Sequence, residues 1–411
     1  MQDKYGMAKC TPTEEAVIKL IAAAFGDEKL NKQSFTDTDW YAVFTELKAQ
    51  AAAAIPMDVL PEVEERIPPE LFNEWLMYSV QVMSFGERIL SAQAELTELF
   101  RRNDIPLCIL KGAAASCNYP NPMYRNMGDI DFLVNKQDFD RAYRLMTDNG
   151  YILAYDEDHV EYHLTLEKDG VMYELHREPA GIAHGVKGDK LRSLFADACS
   201  RYETVYIGEH RFCRLPLLQN GLVLLLHIVK HLDEGLGIRQ ICDWMAFVNR
   251  ELSDEVWKSE FEPVLKKAGL DKLACITTKM CKVYFGLNNI TWCDAADTMA
   301  CAELMRFVLD NGNFGHKDRS TNRAGAVLGS VSAESKRSFL SGVFVNLQKQ
   351  GVGQWKAAQR HPALKCIAWS YLPVRYLIRM ITGKRSIKYT AHLAETIGKN
   401  RSLQDKLAVF K

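Results

Sequence analysis

Leu107-Cys108-Ile109-Leu110-Lys111-Gly112, followed after a small-residue segment by Arg125-Asn126-Met127-Gly128-Asp129-Ile130-Asp131-Phe132-Leu133-Val134, is the stretch whose reading decides the fold. Two short apolar runs are present, and the second carries Asp-x-Asp near its start. Alternate side chains of a strand share one face. If residues 130–134 form a strand, Asp129 and Asp131 point the same way, roughly 6–7 Å apart along the chain. Two carboxylates at that spacing repel unless a cation sits between them. Hard cations such as Mg²⁺ take oxygen ligands and share them with substrate phosphates. The stretch therefore predicts a metal site on a strand edge, preceded by a glycine turn that can approach a phosphate.

Upstream, residues 1–104 read as an N-terminal helical lobe. Thr11-Pro12-Thr13-Glu14-Glu15 has the cap, proline and early acids of a helix start. A second helix is expected from Thr38-Asp39-Trp40 to about Ala54, stopped by Pro56. A long helix from about Pro69 to Asn103 follows, with a break expected near Gly86. Residues 105–215 read as an α/β core. Strands are expected at 107–110, 130–134 and 151–155, with helices at 113–117 and 136–149. Tyr162–Glu167 and Val171–Arg177 form a hairpin across Lys168-Asp169-Gly170, since Asp-Gly is a strong turn signal. A further strand pair surrounds Gly208-Glu209. Residues 216–411 return to helix, at about 217–232, 238–250, 254–268, 270–284 and 295–310. A mobile loop is expected at 316–335, and then a basic helical tail. The fold class is α+β, a small mixed sheet between two helical lobes.

The chain has 411 residues, 47% hydrophobic and 25% charged, enough for two or three domains with a large core. Its formal net charge is −1, so nucleic acid is not expected as the main ligand. The eleven cysteines show no CxxC pair, which suits reduced thiols in a cytoplasmic protein. No signal peptide and no run of about 18 uncharged apolar residues is seen, so no transmembrane helix is expected. The tail from Trp369 to Lys388 mixes aromatic, aliphatic and basic residues. Such a helix can lie on an anionic membrane or a nucleic acid. A packed terminal helix with a solvated basic rim is the commoner case.

A lone Asp-x-Asp more often caps a turn or pairs with arginines than binds a metal. Here Met172, Glu174 and His176 share a face of the expected hairpin. Glu174 can join Asp129 and Asp131, and three acids on adjacent strands can hold two divalent ions about 3.5–4 Å apart. That is the chemistry of nucleotidyl transfer. Lys111 and Gly112 end one strand and open a short helix, offering a positive charge, a tight turn and unpaired N–H groups to a phosphate. An ordinary strand–turn–helix with a solvated lysine has the same pattern. His227 and His231 lie four apart on one helix face, a spacing that can bind zinc, but Ile228 stands where a zincin has glutamate. His231 and Lys230 also suit a helix C-terminus electrostatically. His159 and His163 read as surface or strand-packing residues.

The order Leu110-Lys111-Gly112, Tyr119-Pro120, Arg125, Gly128-Asp129-Ile130-Asp131-Phe132-Leu133-Val134, Glu174-Leu175-His176 resembles the uncharacterised bacterial nucleotidyltransferase family of the DNA polymerase β superfamily. His227, Lys230-His231, Gly237-Ile238-Arg239 and Asp243 match it further on. The resemblance covers roughly residues 95 to 315. It implies a Mg²⁺- or Mn²⁺-dependent transfer of a nucleoside monophosphate from an NTP to a hydroxyl acceptor, small molecule or protein. Asp129, Asp131 and Glu174 would be the metal ligands and Gly112 the turn near the phosphates. His227, Lys230, His231 and Arg239 would grip phosphates or the acceptor across the cleft, and Arg125 would brace the loop or touch phosphate. Gly112-Ala113 replaces the wider superfamily's Gly-Gly or Gly-Ser. Ser116, one helical turn on, is the expected substitute hydroxyl. The same departure leaves open an inactive binding or regulatory protein on this fold.

Overall fold

Thr11 and Glu14 cap the first helix reciprocally, the Thr11 hydroxyl accepting from Glu14 N–H at 3.2 Å and the Glu14 carboxylate from Thr11 N–H at 2.8 Å. The computed structural model describes residues 8–26, 30–154, 162–183, 185–317, 344, 347–348, 351–352, 354–382 and 387–411. The helices of the N-terminal segment are α1 (Pro12–Phe25), α2 (Trp40–Ala49) and α3 (Pro69–Arg102). Helix α2 stops five residues short of the sequence expectation, although the alanines beyond it are good helix formers. Tertiary bonds win there. Gln50 Nε2 donates to Val308 O at 3.2 Å, its Oε1 accepts from Ile238 N–H at 2.9 Å, and Ala53 O accepts from Trp75 Nε1 at 2.6 Å. Short 3₁₀ turns at Ile55–Asp58 and Leu60–Arg66 complete the connection. Helix α3 runs unbroken through Gly86, contrary to expectation. One glycine costs only about 1 kcal/mol of propensity. Val82, Ile89 and Leu90 are buried around it and hold the helix together.

Strand β1 (Leu107–Ile109), helix α4 (Gly112–Ser116) and strand β2 (Ile130–Val134) come next. Helix α5 (Phe139–Asp148) and strands β3 (Ile152–Leu153), β4 (His163–Lys168) and β5 (Val171–His176) follow. Helix α6 (Val186–Phe195) and strands β6 (Glu203–Ile207) and β7 (His210–Arg214) close the α/β segment. The seven strands form one mixed sheet in the order β3-β4-β5-β2-β1-β7-β6. β2 pairs antiparallel with β1 and parallel with β5. Strand alternation sorts the side chains into two environments. Ile130, Phe132 and Val134 join Tyr173, Leu175 and Phe100 in one apolar core. Cys108, Leu110 and Leu133 face the opposite side and belong to the larger helical core. Asp131 and Glu174 share the parity of that second face. Helix α6 was not expected, because Val186, Leu191, Leu194 and Phe195 are its only large apolar residues.

Helices α7 (Leu217–Glu234), α8 (Ile238–Glu251), α9 (Asp254–Val256), α10 (Glu262–Ala268), α11 (Asp271–Phe285) and α12 (Thr298–Asn311) follow. A π-helical turn at Trp257–Phe261 interrupts what reads as one helix over 254–268. The C-terminal segment adds helices Tyr371–Ile381 and Ile387–Lys406. Leu407, Val409 and Phe410 enter the same core as Leu20, Trp75, Leu225 and Trp244, so both ends of the chain pack on the middle. Trp369, Val374, Ile378 and Ile381 are exposed. Among the described residues no helix is long and apolar enough to cross a membrane. All eleven cysteines are unpaired. The loop expected at 316–335 falls, beyond Lys317, outside the described residues, as do Tyr155 and His159.

Candidate active site

The parallel pairing of β2 with β5 sets Asp131 directly opposite Glu174. Asp129 stands at the mouth of β2, exposed, while Asp131 is buried and Glu174 half-buried. One carboxylate oxygen from each of the three lies within 4.8 Å of the others. Glu174, more than 40 residues along the sequence, thus meets Asp129 and Asp131 in one cluster. An all-oxygen set grouped this way fits a hard divalent cation. Two side chains contact the acids. Lys111 Nζ lies 2.7 Å from Asp131 Oδ1. His176 Nε2 donates to Asp131 Oδ1 at 3.0 Å and to Glu174 Oε2 at 3.2 Å. Burial by itself would lift the Glu174 carboxyl, but the His176 hydrogen bond and the Lys111 charge outweigh it and hold the group well below the usual range. Burial opposes the charged form of His176 too, yet its bonds to Asp131 and Glu174 raise it above the ordinary imidazole value.

The bend that delivers Lys111 is strained. Lys111 has φ 48° and ψ −133°, a region that side-chain-bearing residues rarely adopt, and Gly112 follows at φ 33°. A Cβ added at Gly112 would meet nothing within 4 Å, so the backbone here borders open space. The next predicted residue behaves differently. Ser116 is buried and its hydroxyl donates to Ala113 O at 3.1 Å, inside its own short helix.

Arg125 is buried and committed to Asp243, its Nε and Nη2 each donating at 2.7 Å to the two carboxylate oxygens. Tyr119 Oη donates to the same Asp243 Oδ1 at 2.7 Å. Burial opposes the Arg125 charge, but Asp243 more than restores it and raises its pKa. The same Asp243 charge adds to burial in pushing the Tyr119 hydroxyl well up. This triad ties the loop before β2 to α8. Arg239, one turn earlier on α8, donates from Nη1 to Asn126 O at 3.2 Å and from Nη2 to Asn313 Oδ1 at 3.4 Å. Its Nε has no hydrogen-bond partner among the described residues. Burial, then the Arg125 charge, pull it below the ordinary guanidinium value.

Lys230, near the end of α7, is half-buried, and among the described residues no carboxylate comes within 4.0 Å of it. Burial opposes its charge, but the fields of Glu234, Tyr162, Glu174 and Asp131 raise its pKa overall. The sequence-predicted cations Lys111, Lys230 and Arg239 are therefore brought within electrostatic range of the acids. His227 and His231 are buried against each other, Nε2 to Nε2 at 2.9 Å. His231 Nδ1–H donates to Gly235 O at 3.2 Å, so His231 Nε2 accepts from His227 Nε2–H. Burial and the surrounding cations depress both far below the ordinary value, and both are neutral. No third ligand joins them among the described residues, which disfavours the zinc arrangement weighed for this pair.

One residue read as mere packing belongs here. His163 Nε2 is 3.6 Å from Glu174 Oε1, and its ring stacks on His176 with centroids 5.0 Å apart. Burial pushes it down to about 4, against the pull of Glu174. The signal was present in the hairpin. A two-residue Asp169-Gly170 turn pairs Lys168 with Val171, and counting back from it brings His163 opposite His176.

No curated protein matches the chain. A family model described as an uncharacterised nucleotidyltransferase matches residues 36–286, more than half of the chain, and takes in every element of the acidic cluster. With residues 36–286 covered, the chain belongs to the uncharacterised nucleotidyltransferase family.

Proposed function

We propose that the chain is a divalent-metal-dependent nucleotidyltransferase that moves a nucleoside monophosphate from an NTP to a hydroxyl acceptor, on a small molecule or a protein. The observation that carries this reading is the convergence of Asp129, Asp131 and Glu174 within 4.8 Å, beside a glycine bend that borders open space. These three would hold Mg²⁺ or Mn²⁺. Bound there, the ion would neutralise phosphate charge and lower the pKa of the attacking hydroxyl. Gly112 lets the triphosphate approach the backbone. Lys111, Lys230 and Arg239 supply positive charge along its length, with neutral His227 and His231 behind them. Arg125 braces the loop through Asp243, and Ser116 stiffens the short helix after the bend. The acceptor hydroxyl gives its proton to water as its oxygen bonds to the α-phosphorus in line, the bond to the bridging oxygen breaks, and pyrophosphate leaves.

The test is incubation with each labelled NTP and Mg²⁺ or Mn²⁺, followed by mass analysis of the protein and of small-molecule extracts. A nucleotidyl adduct on either supports the reading. Asp129→Asn and Asp131→Asn are expected to abolish nucleotide–metal binding in calorimetry. Unchanged binding in both sinks the proposal.

One observation favours a second reading, an inactive nucleotide-binding or regulatory protein on the same fold. Lys111 already neutralises Asp131 at 2.7 Å. NTP binding without any adduct, and without a metal requirement, would select it.

A further inference from the structure

We propose that His163, Glu174 and His176 form a separate site for a borderline divalent transition metal of the zinc class, sharing Glu174 with the oxygen-only cluster of Asp129, Asp131 and Glu174. Hairpin register brings the two histidines opposite each other on β4 and β5, and Glu174 precedes His176 by two residues on the same face. One ligand atom from each of the three lies within 4.8 Å of the others. Distances decide how well they suit an ion. With ligands at about 2.1 Å, a tetrahedral ion spaces its donor atoms about 3.4 Å apart. His176 Nε2 lies 3.2 Å from Glu174 Oε2 and His163 Nε2 3.6 Å from Glu174 Oε1, so each imidazole approaches one oxygen of the same carboxylate at about that spacing.

The surroundings fit as well. His176 Nδ1 faces the Glu178 carbonyl at 3.4 Å, the kind of outer-sphere bond that orients a ligating imidazole; the ion would displace the proton that Nε2 shares with Asp131 and Glu174. The His163 ring stacks on His176 at 5.0 Å and packs tilted against Tyr162 at 4.6 Å, and its buried Nδ1 has no partner among the described residues. Two imidazoles and a carboxylate are the donor set of three-ligand zinc sites, which leave a fourth position open. Mg²⁺ prefers oxygen and discriminates against this set, so the two sites sort metals by ligand chemistry.

The test uses the full chain, stripped with a chelator and titrated with Co²⁺, whose visible absorption is intense in four- or five-coordinate nitrogen-containing sites and weak in octahedral oxygen sites. The intense band is expected in the wild type, retained in Asp129→Asn and lost in His163→Gln. Asp129 belongs only to the oxygen cluster and His163 only to the mixed one, so this result stands or falls apart from nucleotidyl transfer. The wild-type spectrum needs no variant to fold. A weak octahedral spectrum in the wild type overturns the proposal, as does a band that survives in His163→Gln or disappears equally in Asp129→Asn.

Discussion

Lys111 Nζ lies 2.7 Å from Asp131 Oδ1, joining the residue before the glycine bend to the strand that carries the acids. Both side chains are largely buried, at 12% and 5% exposure. Removing one member of a buried pair leaves the other's charge uncompensated, at a cost of about 3–5 kcal/mol. Lys111→Met is therefore expected to destabilise the metal-free protein by about 3 kcal/mol, with His176 still bonded to Asp131. Excess Mg²⁺ should recover much of that loss. Urea unfolding with chelator and with Mg²⁺ checks both halves, and equal losses in the two conditions would contradict a cation site at Asp131.

The bend itself is tested by Gly112→Ala. At φ 33° an alanine is strained, for a stability loss of about 1 kcal/mol. Its methyl meets no protein atom within 4 Å, so the fold tolerates it. If phosphate lies against the bend as proposed, NTP affinity should fall far more than stability, since the methyl would occupy that space. Gly188→Ala is the contrast. A Cβ there would sit 1.8 Å from Ala183 O, so that variant should unfold without any selective effect on nucleotide. Calorimetric NTP binding beside thermal unfolding separates the two outcomes.

Asp243 receives Arg125 through two bonds and Tyr119 through a third. Asp243→Asn should cost about 3–5 kcal/mol, because Arg125 stays buried without its counter-charge. Tyr119→Phe should cost about 1.5–3 kcal/mol, the range for a hydrogen bond to a charged group. Denaturant midpoints for the two variants check the order.

His227 and His231 make stability depend on pH. Their folded pKa values lie far below the ordinary 6.5, so below pH 6.5 the unfolded chain binds protons that the folded chain refuses. Stability is full above about pH 6.5 and falls as pH drops, by up to about 1.4 kcal/mol per pH unit for each histidine. His176 acts in the opposite sense, since its folded pKa is raised. His227→Gln should flatten the acid limb of a stability-against-pH curve. An unchanged slope would contradict a buried neutral pair.

Much of this centre is legible in the chain itself. Asp129, Asp131 and the parity of Glu174 follow from strand alternation, and the Asp169-Gly170 turn fixes the hairpin. What escapes is long-range. Nothing local says that Asp243 takes Arg125 rather than leaving it for phosphate, because that bond joins residues on two elements brought together only by packing. Ser116 looks available in sequence, yet one turn of helix suffices to satisfy its hydroxyl. Gln50 ends α2 early through bonds to Val308 and Ile238, nearly 200 residues or more away. His163 escapes for a different reason. Its partner is found only by carrying the turn register through the whole hairpin.

β2 and β5 are interior strands, each with a hydrogen-bonded neighbour on both sides. Asp131 and Glu174 are thus held by backbone paired on both flanks, while Lys111 comes from the bend before α4 and Lys230 and Arg239 from the ends of α7 and α8. If a ligand rearranges this centre, the movement is expected in the Lys111–Gly112 bend or at the ends of α7 and α8, while the acid-bearing strands stay paired on both flanks.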